Sequence, residues 1–301
     1  MPGHDHEPFS IADMTEMARQ IRRDIIKMLM ISQSGHSGGP LGLADVFTAL
    51  YFNILRQDPK NPTWPGRDYF FLSAGHVAPV WYATLARAGF YPLEEMKTLR
   101  RINTRLQGHP APGYTHGLPG IEIASGSLGQ GMSVAVGAAL GLRLDQKPNR
   151  VFVLHGDGEL DEGQVWEGIM TAGHYKLDNL IAIVDRNFCQ IDNRTDKVME
   201  LEPLADKWRA FRWNVVECDG NNIEDFIGAV DRAKNVRGKP SVVIAKTFMG
   251  KGVSFMEDDY HWHGIPPNEE QGKQALSELA PTKYGDFTVF DWEKQASPTA
   301  R

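Results

Sequence analysis

An aspartate set between two glycines, Gly156-Asp157-Gly158, follows shortly after the apolar run Val151-Phe-Val-Leu. A second polar group, Asp185-Arg-Asn187, follows the run Leu180-Ile-Ala-Ile-Val. A carboxylate and an amide oxygen are hard donors of the kind Mg²⁺ takes, and that ion usually keeps part of its shell for a phosphate. Glycines at 156 and 158 let the backbone come close to such a phosphate, and a following helix offers free N–H groups. Gly-Asp-Gly alone fits an ordinary strand-to-helix turn equally well. The 28 residues between Gly158 and Asn187, with a strand ahead of each half, favour the cofactor reading.

Histidines recur in similar settings: Ser34-Gly-His36-Ser-Gly-Gly, Ser73-Ala-Gly-His76, Gln107-Gly-His109-Pro and His261-Trp-His263-Gly. One histidine on a loop is more often structural than catalytic. Four on glycine loops or strand ends could donate to phosphate oxygens and sugar hydroxyls, or move protons near neutral pH. A zinc cluster is the weaker reading, because no pair has the i, i+4 spacing of a zinc protease and no cysteine pair assists. A dinucleotide site is weak too, since Gly126-Ser-Leu-Gly129-Gln-Gly131 reverses the G-x-G-x-x-G spacing and Gly156-Asp-Gly158 lacks the third glycine.

The elements that must position these groups can be read from apolar spacing. Met17, Ile21, Ile25, Met28 and Leu29 mark one face of a helix over Met14 to Ile31, and a second helical stretch is expected from about Leu43 to Leu55. Tyr69-Phe-Phe-Leu is a short strand candidate after a Pro/Asn/Gly-rich loop. Gln107 to Gly126 reads as a long ordered loop, the kind that usually serves function. Gly129 to Leu144 alternates small and aliphatic residues and reads as a buried helix that neighbours can approach closely. Strands at 151–154, 180–184, 213–217 and 241–245 then alternate with helices over 162–175 and 223–234. Continuous Val/Ile/Leu runs separated by helices predict a doubly wound α/β fold, a mostly parallel sheet with helices on both faces. Ligands of such sheets sit beyond the strand carboxyl ends. One domain is expected over residues 1–281, with 282–301 as a C-terminal appendage.

The 301 residues carry 32 Lys and Arg against 38 Asp and Glu, a net charge of −6, with no basic block. Nucleic acid is not an expected partner. No run approaches the ~18 apolar residues of a membrane span, so none is expected. The opening residues lack a secretory pattern and only two cysteines occur, so a cytoplasmic protein is expected, with His4 and His6 in a solvated tail.

Taken in order, Ser34-Gly-His36-Ser-Gly-Gly-Pro-Leu-Gly, Leu72-Ser-Ala-Gly-His76, Gly108-His109-Pro110, Gly126-Ser-Leu-Gly-Gln-Gly131, Gly156-Asp-Gly158 through Asn187, and Trp262-His263-Gly264 resemble transketolase. The likeness covers roughly residues 10–280 and is nearer to the separate N-terminal subunit of two-chain transketolases. It implies a thiamine-diphosphate-binding fold and transfer of a two-carbon ketol unit from a ketose, as a phosphorylated sugar, to an aldose. It implies that Asp157, Asn187 and the Cys189 carbonyl hold Mg²⁺, and that His76, Gly158 and His263 contact the diphosphate. Gly126, Leu128 and Ile191 would lie against the cofactor rings, and His36, His109 and His263 would handle sugar hydroxyls. Glu162 matches an acidic residue near the interface that links two active sites, although a helix N-terminal glutamate favoured by the dipole explains it nearly as well.

Ser37 and Ser127 stand where the family often has proline. The larger departure is length, because full transketolases continue into a pyrimidine-binding domain and a third domain. A separate C-terminal subunit, in a heterotetramer of two copies of each chain, is the implied partner. Other thiamine-diphosphate enzymes are the rivals, deoxyxylulose-phosphate synthase or a 2-oxo acid dehydrogenase subunit. His36, His76 and His109 disfavour the latter, whose substrates carry few hydroxyls. A non-catalytic binding subunit would not need Asp157, Asn187 and all four histidines together.

Overall fold

Five apolar runs become five parallel strands, as continuous hydrophobic stretches buried on both sides require. The structure, a computed structural model, describes residues 9–112 and 117–288; His4, His6, part of the loop at 107–126 and the end of the chain from 289 lie outside the described residues. In chain order the elements are α1 (Ile11–Ser32), α2 (Gly38–Gly42), α3 (Ala44–Ala49), β1 (Tyr69–Leu72), α4 (Ala78–Arg87), α5 (Gln130–Leu144), β2 (Val151–Gly156), α6 (Gly163–Tyr175), β3 (Leu180–Arg186), α7 (Thr195–Val198), α8 (Leu204–Ala210), β4 (Asn214–Asp219), α9 (Ile223–Lys234), β5 (Ser241–Lys246) and α10 (Glu269–Glu278). The sheet order is β1-β2-β3-β5-β4.

Alternate residues of each central strand feed two cores. Phe152, Leu154, Ile181 and Ile183 point into one core, with α1, α3, α4 and α9. Val151, Val153, Leu180 and Ala182 point into the other, with α5, α6 and α8. The fold is therefore the doubly wound α/β arrangement that the strand–helix alternation predicts. Among the described residues no helix is long and apolar enough to cross a membrane.

Three expectations change. The stretch from Leu43 to Leu55 is not one helix: α3 passes into a π-helical turn over Leu50–Ile54. Helix α5 is buried on one face only, through Gly131, Met132, Ala135, Val136 and Ala139. Its other face leaves Val134 39% and Leu144 83% exposed, and nothing lies within 4 Å of where a Cβ on Gly137 or Gly141 would stand. Small residues do allow close approach there, but among the described residues no neighbour takes it up.

The third change concerns the C-terminal boundary. As far as residue 288 the segment after Pro281 packs on α1 instead of hanging free. Asp286 takes two hydrogen bonds from Arg23, at 2.8 and 2.7 Å, and lies 3.4 Å from Lys27. Phe287 is buried in the first core, and Tyr284 donates from its hydroxyl to the Asp13 carbonyl at 3.2 Å. The physical reason is that Arg23 lies among buried residues of α1 and requires an anion, which Asp286 supplies. Ending the chain after Pro281 should lower stability by at least ~3 kcal/mol, from the exposed Phe287 site and the unpaired Arg23. Urea unfolding midpoints of the two lengths measure this, and equal midpoints would restore the appendage.

Candidate active site

Strands β2 and β3 lie side by side with Gly156 opposite Asp185, so the turns that follow them open at one edge of the sheet. Asp157 is buried there. Its Oδ1 accepts from the Gly158 N–H at 2.8 Å, and its Oδ2 accepts from the Phe188 N–H at 2.7 Å and from Arg186 at 2.9 Å. Burial pushes its carboxyl up to about 6, against the pull of the Arg186 charge. Asn187 accepts from the Cys189 N–H through Oδ1 at 2.9 Å and donates through Nδ2 to Asp185 at 2.8 Å. The first bond fixes which end of the amide is oxygen, because a backbone N–H can only donate. Asp185 is itself held by the Thr247 hydroxyl, and burial pushes its carboxyl up to about 7.

This arrangement fits a hard divalent cation. Two buried carboxyls stand close enough for Asp157 to raise the value of Asp185, so their ionised forms would gain from added positive charge. Among the described residues Asp157 Oδ1 has one donor, the Gly158 N–H. Among the described residues no three His, Cys, Asp or Glu side chains converge on a metal position, which leaves a set of carboxylate, amide and backbone carbonyl oxygens. Burial raises the Cys189 thiol to about 12, so its sulfur stays protonated and only its carbonyl suits such an ion.

The histidines line the same cleft. Ring centroids lie 5.2 Å apart for His36 and His76, 5.9 Å for His36 and His263, and 5.3 Å for His76 and His263. Burial, reinforced by neighbouring cationic groups, lowers His36 to about 4 and His76 to about 3. His263 is lowered by burial, and His109, which is exposed, by partial burial and by Arg100. Neutral imidazoles both donate and accept, which suits hydroxyl groups. Among the described residues the buried Nδ1 atoms of His36 and His263 have no hydrogen-bond partner. The loop carrying Gly126 crosses directly over the turn carrying His76: a Cβ on Gly75 would stand 2.6 Å from the Gly126 nitrogen. Gly126 has φ +133, and a Cβ on it would stand 2.9 Å from the His109 ring.

Thus His36, His76, His109, Gly126, Leu128, Asp157, Gly158, Asn187, Cys189, Ile191 and His263 all line one cleft. Leu128 and Ile191 are 38% and 63% exposed at its mouth. Glu162 stands apart from it, exposed at the N-cap of α6 without a capping hydrogen bond and packed beside Gly129.

Sequence reasoning missed Glu159 and assigned no role to Asp185 or Arg186 within the polar group it named. Glu159 is buried and accepts from the Gly129 N–H at 2.7 Å, the Gly156 N–H at 3.1 Å and the Ser73 hydroxyl at 2.5 Å. Burial alone would raise its carboxyl, but His155 beside it and these donors more than offset that, and it sits below its ordinary value. Its position two residues after Asp157 was the one available signal, and that did not show which backbone groups it would meet.

Fold and site together define a doubly wound α/β domain with one polar, histidine-lined cleft beyond the carboxyl ends of its strands. Residues 13–292 match the family model described as the transketolase, thiamine diphosphate binding domain. The chain is 45% identical over 267 residues to the 6-deoxy-6-sulfo-D-fructose transketolase subunit SqwG of a Clostridium strain, covering 89% of this chain and 96% of that one. It is 41% identical to one subunit of the apulose-4-phosphate transketolase of Phocaeicola vulgatus, over 86% of this chain and 91% of that one. The transketolase structure from Campylobacter jejuni superimposes with a TM-score of 0.85 at 33% identity, covering 94% of this chain and 45% of that one. This chain belongs to the transketolase family of transferases and corresponds to its N-terminal, thiamine-diphosphate-binding part.

The buried histidines carry a pH signature. His36 titrates near 4 in the folded chain and near 6.5 unfolded, so below 6.5 the unfolded state binds more protons and stability falls as pH drops towards 4. Asp157 and Asp185 act in the opposite sense, since their raised values cost stability as pH rises from the ordinary carboxylate value of 3.8 towards about 6 and about 7. Replacing His36 with Gln removes one of the acid-destabilising groups and leaves the carboxyls in place. The stability lost between pH 7 and pH 5 should then shrink by roughly 1–2 kcal/mol, measured by urea unfolding at each pH. An identical pH dependence in the variant would mean that His36 is not held neutral.

Proposed function

We propose that this chain is the N-terminal subunit of a two-chain transketolase, using thiamine diphosphate and Mg²⁺ to move a two-carbon ketol unit from a phosphorylated ketose to an aldose. The observation that carries the reading is the meeting of the Asp157/Asn187 pair and four neutral histidines in one cleft. It is supported by relatives named as transketolase subunits that match over 91% to 96% of their own length. The cytoplasm is the proposed compartment, and carbohydrate metabolism of the pentose phosphate type the proposed setting.

When bound, thiamine diphosphate supplies the nucleophilic carbon and the electron sink for breaking a carbon–carbon bond beside a ketone. The residues of this chain anchor and orient. Asp157, Asn187 and the Cys189 carbonyl hold Mg²⁺, while His76, His263 and the Gly158 backbone hold the diphosphate. Gly126, Leu128 and Ile191 face the cofactor rings. His36, His109 and His263 hold donor hydroxyls, and as neutral rings they can give or take a proton at those oxygens. Calorimetry should find no Mg²⁺-dependent binding of thiamine diphosphate to Asp157→Ala, whereas unchanged affinity would remove this pair from the metal site. His36→Ala and His109→Ala should instead lower kcat/KM for the ketose by about 1–3 kcal/mol equivalent while cofactor affinity holds.

A separate C-terminal subunit, in a heterotetramer with two copies of each chain, is the proposed partner. The exposed Leu128 and Ile191 at the cleft mouth and the uncovered face of α5 supply apolar area for an obligate interface. Glu162 is placed by this reading at a contact that links two active sites. The chain alone, given Mg²⁺, thiamine diphosphate, a ketose phosphate and an aldose, should show essentially no transfer and gain it on mixing with the partner. Full activity from the isolated chain would refute the division of labour.

A further inference from the structure

Arg100 lines neither the metal-type pair nor the histidine wall, yet it touches both loops that carry His36 and His109. Its backbone is left-handed, with φ +58, a conformation uncommon for a non-glycine residue and kept only where surrounding contacts enforce it. Its N–H donates to the Leu106 carbonyl at 2.7 Å, and its Nη1 donates to the Ser34 hydroxyl at 3.0 Å.

The two histidines share a local pattern: each follows a glycine, Gly35 or Gly108. A Cβ on Gly108 would stand 3.0 to 3.2 Å from Cζ, Nε and Nη2 of Arg100. A Cβ on Gly35 would stand 3.6 Å from Nε of the same side chain. The guanidinium therefore occupies the space a side chain at Gly108 would need and stands beside the same position at Gly35, one glycine from each loop. Gly35 also has φ +134, so its backbone excludes ordinary side chains in any case. On the second loop, Tyr82 donates from its hydroxyl to the Gln107 carbonyl at 2.9 Å, which holds that loop from the other side.

We infer that Arg100 is a positioning residue for the sugar-binding histidines, its guanidinium acting as a spacer that holds the His36 and His109 loops at one separation. The inference rests on the proposed transketolase reading for what those histidines bind, but not for the geometry. A planar guanidinium suits the role because it is rigid, always charged, and can pack flat against glycine backbone while donating at its edge. The charge has a second effect. His36 is faced by His263, Arg100 and His109, with His76 in ring contact, and His109 by Arg100. Glu159 faces His76 from behind. Removing Arg100 takes a fixed cation away from both histidines and makes each easier to protonate.

The test has two arms. In the full chain alone, the titration midpoints of His36 and His109 are followed by NMR in wild type and in Arg100→Gln, with signals assigned through His36→Gln and His109→Gln. Both midpoints should move upward. In the complex with the partner, Mg²⁺ and thiamine diphosphate, Arg100→Gln should lower kcat/KM for the ketose phosphate about tenfold while the cofactor Kd changes less than twofold. Gly108→Ala, which pushes into the same slot, should do likewise, and the double variant should be no worse than the more affected single one. Gly108→Ala alone decides the kinetic arm if Arg100→Gln does not fold. Unmoved midpoints overturn the inference, as do losses that follow cofactor affinity or add fully in the double variant. Absence of transfer by the wild-type complex would sink the transketolase reading instead, and the midpoints would still judge Arg100.

Discussion

The site depends on the register between β2 and β3. Gly156 opposite Asp185 brings two turns to the same level at the carboxyl edge of the sheet, and every other polar feature follows from that level. Asp157 reaches across to the Phe188 N–H and to Arg186, while Asn187 turns back to Asp185. A slip of one residue would send alternate side chains of β3 to the opposite face. It would also carry Ile181 and Ile183 out of one core and Ala182 out of the other, so the same hydrophobic burial that stabilises the sheet secures the position of the metal-type pair.

The electrostatics of the cleft run against what a folded chain would choose for its own sake. Two buried carboxyls sit near each other with Arg186 as the cation that faces Asp157, and three half-buried imidazoles are crowded within 6 Å of one another. Burial raises the acids and lowers the histidines, so both kinds of group are pushed towards neutrality. Neutral imidazoles and an acid pair that gains from a cation are what a site for a metal-bound diphosphate and a polyhydroxy substrate would need. Glu159 is the counterweight. By accepting from Gly129, Gly156 and Ser73 it ties the helix, strand and turn around the cleft into one frame.

The uncovered face of α5, Met170 on α6, and the Leu128 and Ile191 side chains at the cleft mouth place large apolar groups in water. The chain spans 43% of the human transketolase that it matches and 96% of the Clostridium subunit, so the family contains both fused and separate arrangements of this part.

Much of this was legible in the sequence. The strand runs, their alternation with helices, the metal-type pair and the four histidines are local patterns, and local patterns survive without coordinates. The residues to which the resemblance assigned cofactor, metal and sugar all line one cleft, and Glu162 stands apart from it. What the sequence could not reveal depends on contacts between distant segments. Asp286 looks like tail until it meets Arg23, 263 positions earlier. Val134 and Gly137 look buried until the packing leaves their side of α5 bare. Glu159 and Arg100 look like surface charges until Gly129 and Gly108 close on them. Periodicity reports which face of an element is apolar. Only the packed structure decides what that face, or a lone charge beside it, finally touches.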